Sequence, residues 1–379
     1  MNHNTASYER YSRQVLLKEF GEAGQQKLLQ AKVLMIGAGG LGCAALPYLA
    51  AAGIGNIGII DDDVVSLHNL HRQVLFSVHD IGLSKAERAA AVLQKLNPDI
   101  IIEAFNERLA VANALALLKK YDVIIDGTDN FSSRYMINDA CVLLNKPLVY
   151  GAVSKFEGQL AVFNFSINEG AASVNYRDLF PQPPAPGEIP NCAESGVLGV
   201  LPGIIGSMQA NETIKLLSGI GSPLVNRLLI YNALNNQVFE LELAAQTGTR
   251  NLIPAGAEAF EQTDYDWLCS VANNSFEISA DKFNELRIEN KPLIIDVRDD
   301  GEMPVVNEFD HIRIPLGSIP DKLPGTGNDT IIVFCQSGKR SLQAANLLSE
   351  KFGAAKKIFS LAGGILQWKY ENNFKNERT

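Results

Sequence analysis

The sequence predicts an α/β fold laid down in two units, a large one followed by a smaller one. Three observations carry this. Short apolar runs alternate with helical segments from Val33 to Ile125, the pattern of a parallel sheet covered by helices. The first of these runs ends in a cluster of glycines that opens a helix. The same alternation resumes after Ser279, beyond a stretch at 246–275 in which periodicity fades and which reads as a linker. The boundaries expected are 1–245, a linker at 246–275, and 276–379.

Taken in order, Val33–Ile36 is a buried strand, Leu41–Ala52 an Ala/Leu-rich helix and Ile57–Ile60 a second strand. Lys85–Leu96 is a helix stopped by Asn97-Pro98. Ile100–Ala104 and Val123–Ile125 are strands. The proline-rich segment Phe180–Pro190 lacks the backbone donors of a helix or central strand, so it is a long loop or crossover. Helix returns at Gly203–Ser218, and Leu228–Tyr231 with Val238–Leu243 form a closing hairpin. In the smaller unit Ser279 caps a helix at Ala280–Ile288, Leu293–Val297 and Ile331–Phe334 are strands, and Ser341–Phe352 is a helix.

Composition bounds the function. The chain has 379 residues, 46% hydrophobic and 20% charged, which excludes whole-chain disorder and suits two or three domains. A net charge of −9 argues against a dedicated nucleic-acid binder, which needs a basic footprint. The five cysteines (Cys43, Cys141, Cys192, Cys269, Cys335) are scattered singly, which fits a reducing compartment better than a disulfide framework. The N-terminus has no apolar stretch resembling a signal peptide, and no apolar run is long enough to span a bilayer. A cytoplasmic protein without membrane attachment is expected.

The first chemical site is Gly37-Ala38-Gly39-Gly40-Leu41-Gly42, between a strand and a helix. Gly37, Gly39, Gly40 and Gly42 let the backbone approach a phosphate, and the helix N-terminus offers it free N–H donors. Asp61 ends the next strand, near the spacing at which a carboxylate meets a ribose hydroxyl. Asn69, Arg72 and Gln73 follow, Lys85 starts the next helix, and Asp129 and Asn130 lie beyond the strand ending near Asp126. Two cations and a strand-end carboxylate on one sheet edge suit a triphosphate and its Mg²⁺ better than hydride transfer to a nicotinamide.

These residues carry a resemblance. Tyr11-Ser12-Arg13-Gln14, Gly37–Gly42, Asp61–Gln73, Gly82-Leu83-Ser84-Lys85 and Asp126–Asn130 are similar to the MoeB/ThiF/HesA family of E1-like adenylyltransferases, over roughly residues 8–243. The likeness implies a Rossmann-like E1-type adenylation domain with a mixed sheet. In it Asp61 would hold the ribose of ATP, Asn69, Arg72 and Lys85 its phosphates, and Asp129 a Mg²⁺. Arg13 would reach the ATP of the other subunit of a homodimer. The reaction implied is attack of a carrier protein's C-terminal glycine carboxylate on the α-phosphate. Cys192, just after the proline-rich loop, would meet the activated carrier through a thioester or an acyl-persulfide-type bond. The family commonly binds a structural zinc with two Cys-x-x-Cys pairs. Here Asn175-Tyr176-Arg177-Asp178 occupies one matching place and Leu241–Gly256 has no cysteine. No zinc is therefore expected, and other contacts must hold the loop. His68, His71 and His79 read as loop or nucleotide-edge residues.

The second chemical site is Cys335-Gln336-Ser337-Gly338-Lys339-Arg340, between a strand and a helix. Such a loop favours a thiolate. It is one residue shorter than a tyrosine-phosphatase loop and resembles that of the rhodanese family, which takes a sulfane sulfur. Asp296-Val297-Arg298, His311–Leu316 and Leu361–Ile365 with Trp368 extend the likeness over roughly 276–379. Asp300–Asp310 departs from the usual glutamate-rich pattern, leaving the partners of Arg298 open.

Together these resemblances imply a small α/β rhodanese domain fused behind the adenylation domain. The enzyme would adenylate a ubiquitin-like sulfur carrier, MoaD-like or ThiS-like, and convert it to a thiocarboxylate in molybdopterin or thiamine biosynthesis. A cysteine desulfurase would be a fitting sulfur donor. Two alternatives stay open at this stage. One is a NAD-dependent oxidoreductase using the glycine loop, the other a non-catalytic carrier-docking protein.

Overall fold

The computed structural model describes residues 5–166, 173–183, 196–265, 276–289, 291–319 and 328–376. Two compact units are distinguished, one reaching to Tyr265 and the other following it.

The first unit is an eight-stranded mixed sheet in the order β3-β2-β1-β4-β5-β6-β7-β8. Strands β1 (Lys32–Ile36), β2 (Asn56–Ile60), β3 (Ile101–Phe105), β4 (Val123–Asp126) and β5 (Leu148–Ser154) run parallel. Strands β6 (Glu157–Phe163), β7 (Arg227–Asn232) and β8 (Gln237–Glu242) continue it antiparallel. The near-continuous burial of β1, β2 and β4 explains their unbroken Val/Ile/Leu runs, because helices cover both faces. The expected helices appear as Gly40–Ala52, Lys85–Leu96 and Val200–Ser218, and the closing hairpin as β7–β8. Helices Thr5–Val15, Gly21–Gln30 and Phe131–Leu144, and strands β5 and β6, lie where the sequence reading assigned nothing.

The order places β1 between β2 and β4, so the chain leaves β1 toward one edge and later returns on its other side. Ligands of open α/β sheets bind at the carboxyl ends of the strands at such a reversal. The glycine loop leaves β1 there, Asp61 follows β2 and Asp129 follows β4.

The second unit is a five-stranded parallel sheet in the order β11-β10-β12-β13-β9. Its strands are β9 (Glu277–Ile278), β10 (Leu293–Asp296), β11 (Ile312–Arg313), β12 (Thr330–Phe334) and β13 (Lys357–Leu361). Ile295, Val333, Ala344 and Leu348 build the core on one side. Phe283, Phe309, Phe334 and Trp368 build the other, with edge-on ring contacts such as Phe309–Trp368 at 5.2 Å. The Ser279 hydroxyl accepts from the Lys282 N–H at 3.3 Å at the start of helix Ala280–Glu289.

The stretch read as a linker differs from expectation. Up to Tyr265 it is packed on the first unit, with Thr249, Phe260 and Tyr265 all buried. Its periodicity fades because polar side chains and a few aromatic anchors hold it rather than an amphipathic face. Two clusters do this where the resemblance would put thiolates. Arg177 makes a two-pronged ion pair with Asp139 (2.8 and 2.7 Å), and the Tyr265 hydroxyl donates to the same carboxylate at 2.9 Å. Asp178 accepts from the Asn175 backbone and side chain at 2.8 and 2.7 Å, and from the Gln246 N–H at 2.9 Å and the Thr249 hydroxyl. Asn138 accepts from the Tyr176 N–H at 2.8 Å and ties both clusters to helix Phe131–Leu144.

Removing one partner of a buried ion pair strands the other charge, at about 3–5 kcal/mol. Arg177→Met is expected to lower the first unit's stability by about that amount in urea titration. A strong chelator is expected to leave the unfolding midpoint of the native protein unchanged. A chelator-induced drop would show that a bound metal stabilises the fold.

Candidate active sites

At the sheet reversal the first unit opens a cleft of about 480 Å³, a size ordinary for small-ligand sites. Close backbone packing shapes its floor. Gly37 has φ +93°, a left-handed conformation that suits glycine, and a Cβ there would lie 3.0 Å from the Gly127 carbonyl. A Cβ on Gly42 would lie 2.2 Å from the Gly37 carbonyl. The loop can therefore fold onto β4 and enter the helix only with these glycines. Asp61 braces it from the side, accepting the Ala38 N–H at 2.7 Å and the Asp63 N–H at 2.8 Å. Burial pushes the Asp61 carboxyl up, against the pull of those two donors.

The cleft is lined by Gly37, Gly39, Gly40, Asp61, Asn69, Arg72, Gln73, Lys85, Asp129 and Asn130. The structure thus gathers residues spread over more than ninety positions of sequence. Gly42 sits behind the loop and does not line the cleft. Arg72 donates to the Asn69 side chain at 2.8 Å, and Lys85, buried, donates to Asp63 at 2.7 Å. Both cations are thus held in place by neighbours. Gln73 is 3% exposed and its Oε1 has no hydrogen-bond partner, a group that a bound ligand could satisfy. Asn130 caps helix Phe131–Leu144, its Oδ1 accepting the Ser133 N–H at 2.9 Å, so part of its capacity serves the fold. Asp129 is exposed at the mouth, where a carboxylate can meet a hydrated cation.

Arg13 is exposed on helix Thr5–Val15 and does not line this cleft. Of the histidines, His68 lines the cleft, while the His71 ring contacts the His68 carbonyl at 3.0 Å and His79 lies in a short turn. Cys192 lies outside the described residues.

Sequence reasoning missed Asp63, Thr128 and Arg134. The Thr128 hydroxyl and N–H donate to buried Asp126 at 2.7 and 2.8 Å, and Arg134 donates to the Thr128 carbonyl at 3.1 Å. Burial pushes the Asp126 carboxyl up. A usable signal existed for Arg134: a cation in the first turn of a helix opposes the helix dipole and so needs another reason to be there.

In the second unit Cys335 follows β12 and is 1% exposed. Its Sγ accepts the Gly338 N–H at 3.2 Å and lies 3.4 Å from the Ser341 hydroxyl. Its carbonyl accepts the Ile365 N–H at 2.8 Å. A Cβ on Gly364, at φ +62°, would lie 2.5 Å from that same carbonyl. Arg340 is turned to Glu302 in a two-pronged pair (2.6 Å each) that holds the Glu302 carboxyl down to about 2. Arg298 pairs with Asp296 (2.8 and 2.7 Å) and donates to the Pro304 carbonyl at 2.9 Å. Burial opposes the Asp296 charge, and the hydrogen bonds from Arg298 and Arg313 outweigh it, holding the carboxyl below its usual range. The partners of Arg298 left open by the sequence are thus Asp296 and Pro304.

Residues 11–251 match the ThiF family and 279–371 the rhodanese-like domain. The chain is 42% identical to the probable adenylyltransferase/sulfurtransferase MoeZ of Mycobacterium tuberculosis, covering 95% of this chain and 92% of that protein. It is 50% identical to the sulfur carrier protein adenylyltransferase of Thermus thermophilus, covering 60% of this chain and 83% of that protein. Among solved structures, E. coli MccB with MccA-N7isoASN superposes with a TM-score of 0.56 at 23% identity, over 65% of this chain and 74% of that one, a likeness of fold alone. The family match, the near-full-length relative and the mixed sheet with its glycine-floored cleft lead to one assignment: the chain belongs to the ThiF family and carries a rhodanese-like domain behind the ThiF portion.

Proposed function

We propose that the chain activates a ubiquitin-like sulfur carrier with ATP and then transfers sulfur to it. The observation that carries this reading is one cleft in which the glycine loop, Arg72, Lys85 and Asp129 converge, on a chain that also holds an intact Cys335 loop. The shared names of full-length and partial relatives support both halves.

In this reading residues 1–265 form the activation domain, 266–275 the connection and 276–379 the sulfurtransferase domain. The loop around Gly39 and Gly40, with Gln73, faces the nucleotide, and Asp61 meets its ribose. Asn69, Arg72 and Lys85 neutralise the phosphate charge that builds in the transition state. Asp129 would hold a Mg²⁺, which would supply further charge neutralisation on the triphosphate. The carrier's terminal carboxylate oxygen attacks the α-phosphorus, the bond to pyrophosphate breaks, and an acyl-adenylate forms. Cys335 takes a sulfane sulfur from a donor such as a cysteine desulfurase. Its terminal sulfur attacks the acyl carbon and AMP leaves. Alternatively Cys192 first displaces AMP to form a thioester and is itself displaced by the persulfide. In either order the Cys192 thiol then releases the thiocarboxylate by forming a disulfide with Cys335, which a cellular thiol reduces. The exposed Arg13 serves the cleft of a second copy. The carrier is MoaD-like or ThiS-like.

Carrier-dependent ATP–pyrophosphate exchange tests the first half. Lys85→Ala and Asp129→Ala are expected to slow exchange by about 10²-fold or more. No exchange with any such carrier, or binding of NAD in preference to ATP, overturns the reading. Cys335→Ala is expected to keep exchange intact and abolish thiocarboxylate formation; full-rate formation from a sulfane donor would remove the sulfurtransferase role. Mixing inactive Arg13→Ala with inactive Lys85→Ala protein is expected to restore activity, since mixed dimers regain one complete cleft. Failure to complement argues that Arg13 does not act in trans.

A further inference from the structure

Two serines stand behind the reactive cysteine of the second unit. Ser341, in the first turn of helix Lys339–Phe352, and Ser360, on β13, are both fully buried. Their hydroxyl oxygens lie 2.9 Å apart, and the Ser341 hydroxyl also lies 2.9 Å from the Gly338 carbonyl and 3.4 Å from Cys335 Sγ. A buried hydroxyl on a core strand such as β13 costs stability unless it is bonded. Ser341 is within reach of this one.

The hydrogen inventory is restrictive. Ser341 has one hydroxyl hydrogen and two candidate acceptors, the Gly338 carbonyl and the sulfur. With neutral sulfur the carbonyl is the better acceptor. With anionic sulfur the charged acceptor wins. Turning the hydrogen toward sulfur leaves the Ser341 oxygen free to accept from Ser360, and a chain of aligned donors strengthens each link.

We propose that Ser360 and Ser341 form a buried hydroxyl relay that positions a donor on the anionic sulfur of Cys335, with Ser360 acting through Ser341. The inference rests on the sulfurtransferase reading for its biological meaning, but the relay concerns the cysteine's own charge. Both serines are positioning residues. The Gly338 N–H supplies the second, backbone donor.

Among the described side chains, the charged groups near the sulfur are placed as follows. Arg340 on the loop is held by Glu302, with Asp299 at 3.5 Å. Glu277 on β9 approaches Gly338, its Oε1 lying 3.5 Å from where a Cβ there would stand. Asp296, Arg298 and Arg313 close an ion cluster at the ends of β10 and β11, and the His311 ring packs on Phe334. None of these contacts either hydroxyl, so hydroxyl deletion leaves them in place.

The test is the pH profile of Cys335 alkylation by iodoacetamide in the full-length protein, followed by peptide mass spectrometry. Ser360 is changed to Thr, which keeps the hydroxyl, and to Val, which has the same shape without it. Ser360→Val is expected to slow alkylation at neutral pH by about 3–10-fold and move the profile to higher pH, while Ser360→Thr stays near the native profile. Ser341→Ala, which removes the direct donor, is expected to slow it by about tenfold or more. Equal profiles for Thr and Val, whether both native-like or both slow, overturn the relay. So does a native profile for Ser341→Ala. If the relay holds but native protein transfers no sulfur to any carrier, the functional reading fails and the relay stands.

Discussion

The close approach of two backbone segments governs the first unit. Gly37 crosses over Gly127, where a Cβ on Gly37 would already press the carbonyl at 3.0 Å, and Gly42 tucks beneath the Gly37 carbonyl. This contact joins the end of β1 to the end of β4 across the sheet reversal. Everything that faces the cleft depends on it. The Gly37 N–H donates to the Ile60 carbonyl and the Ala38 N–H to Asp61, so the start of the loop is tied to the end of β2 while Gly39 and Gly40 line the cleft. Asp61 can brace the loop because β2 delivers it alongside. Asp126 and Thr128 can make their own turn because Gly127 leaves room. A side chain at either glycine would move the donors and the carboxylates together.

The second unit solves a related problem with different means. A loop that must present N–H groups to a sulfur has to satisfy its own carbonyls elsewhere. The N-terminal turn of helix Gly364–Asn376 does so, with the Ile365 and Leu366 N–H groups reaching the Cys335 and Gln336 carbonyls. Arg340 and Glu302 neutralise one another beside the loop. The sulfur is left facing donors, which is the arrangement an anion requires.

The polar clamp of the first unit holds the loop around 175–178 with ion pairs and hydrogen bonds. The loop around 175–178 has no thiolates to offer a zinc ion. Asp139, Arg177 and Tyr265, with Asp178, Gln246 and Thr249, tie the same region to helix Phe131–Leu144 and to the segment running to Tyr265. Each buried carboxylate there has several donors, the condition under which such charges are tolerated. This segment looked like a linker because polar ties of this kind leave no periodic trace.

Much was legible in the sequence because it was local. Period and punctuation marked the helix at Lys85–Leu96 to the residue, the strands near it and the closing hairpin. The glycine loop and the Cys335 loop announced themselves because each is a run of special backbone requirements within six residues. Other features needed the tertiary structure. Lys85 meets Asp63 across an isolated bridge between Val64 and Ser84, Arg134 meets a carbonyl six residues back, and Ser360 meets Ser341 between a strand and a helix. Such pairs carry no spacing rule. The order of strands brings them together, and that order is decided by which faces bury together. By itself the sequence determined the two α/β units and the residues set on each loop. Only the folded chain decided which neighbour holds each charge, because hydrogen bonds act over about 3 Å of space whatever the distance along the chain.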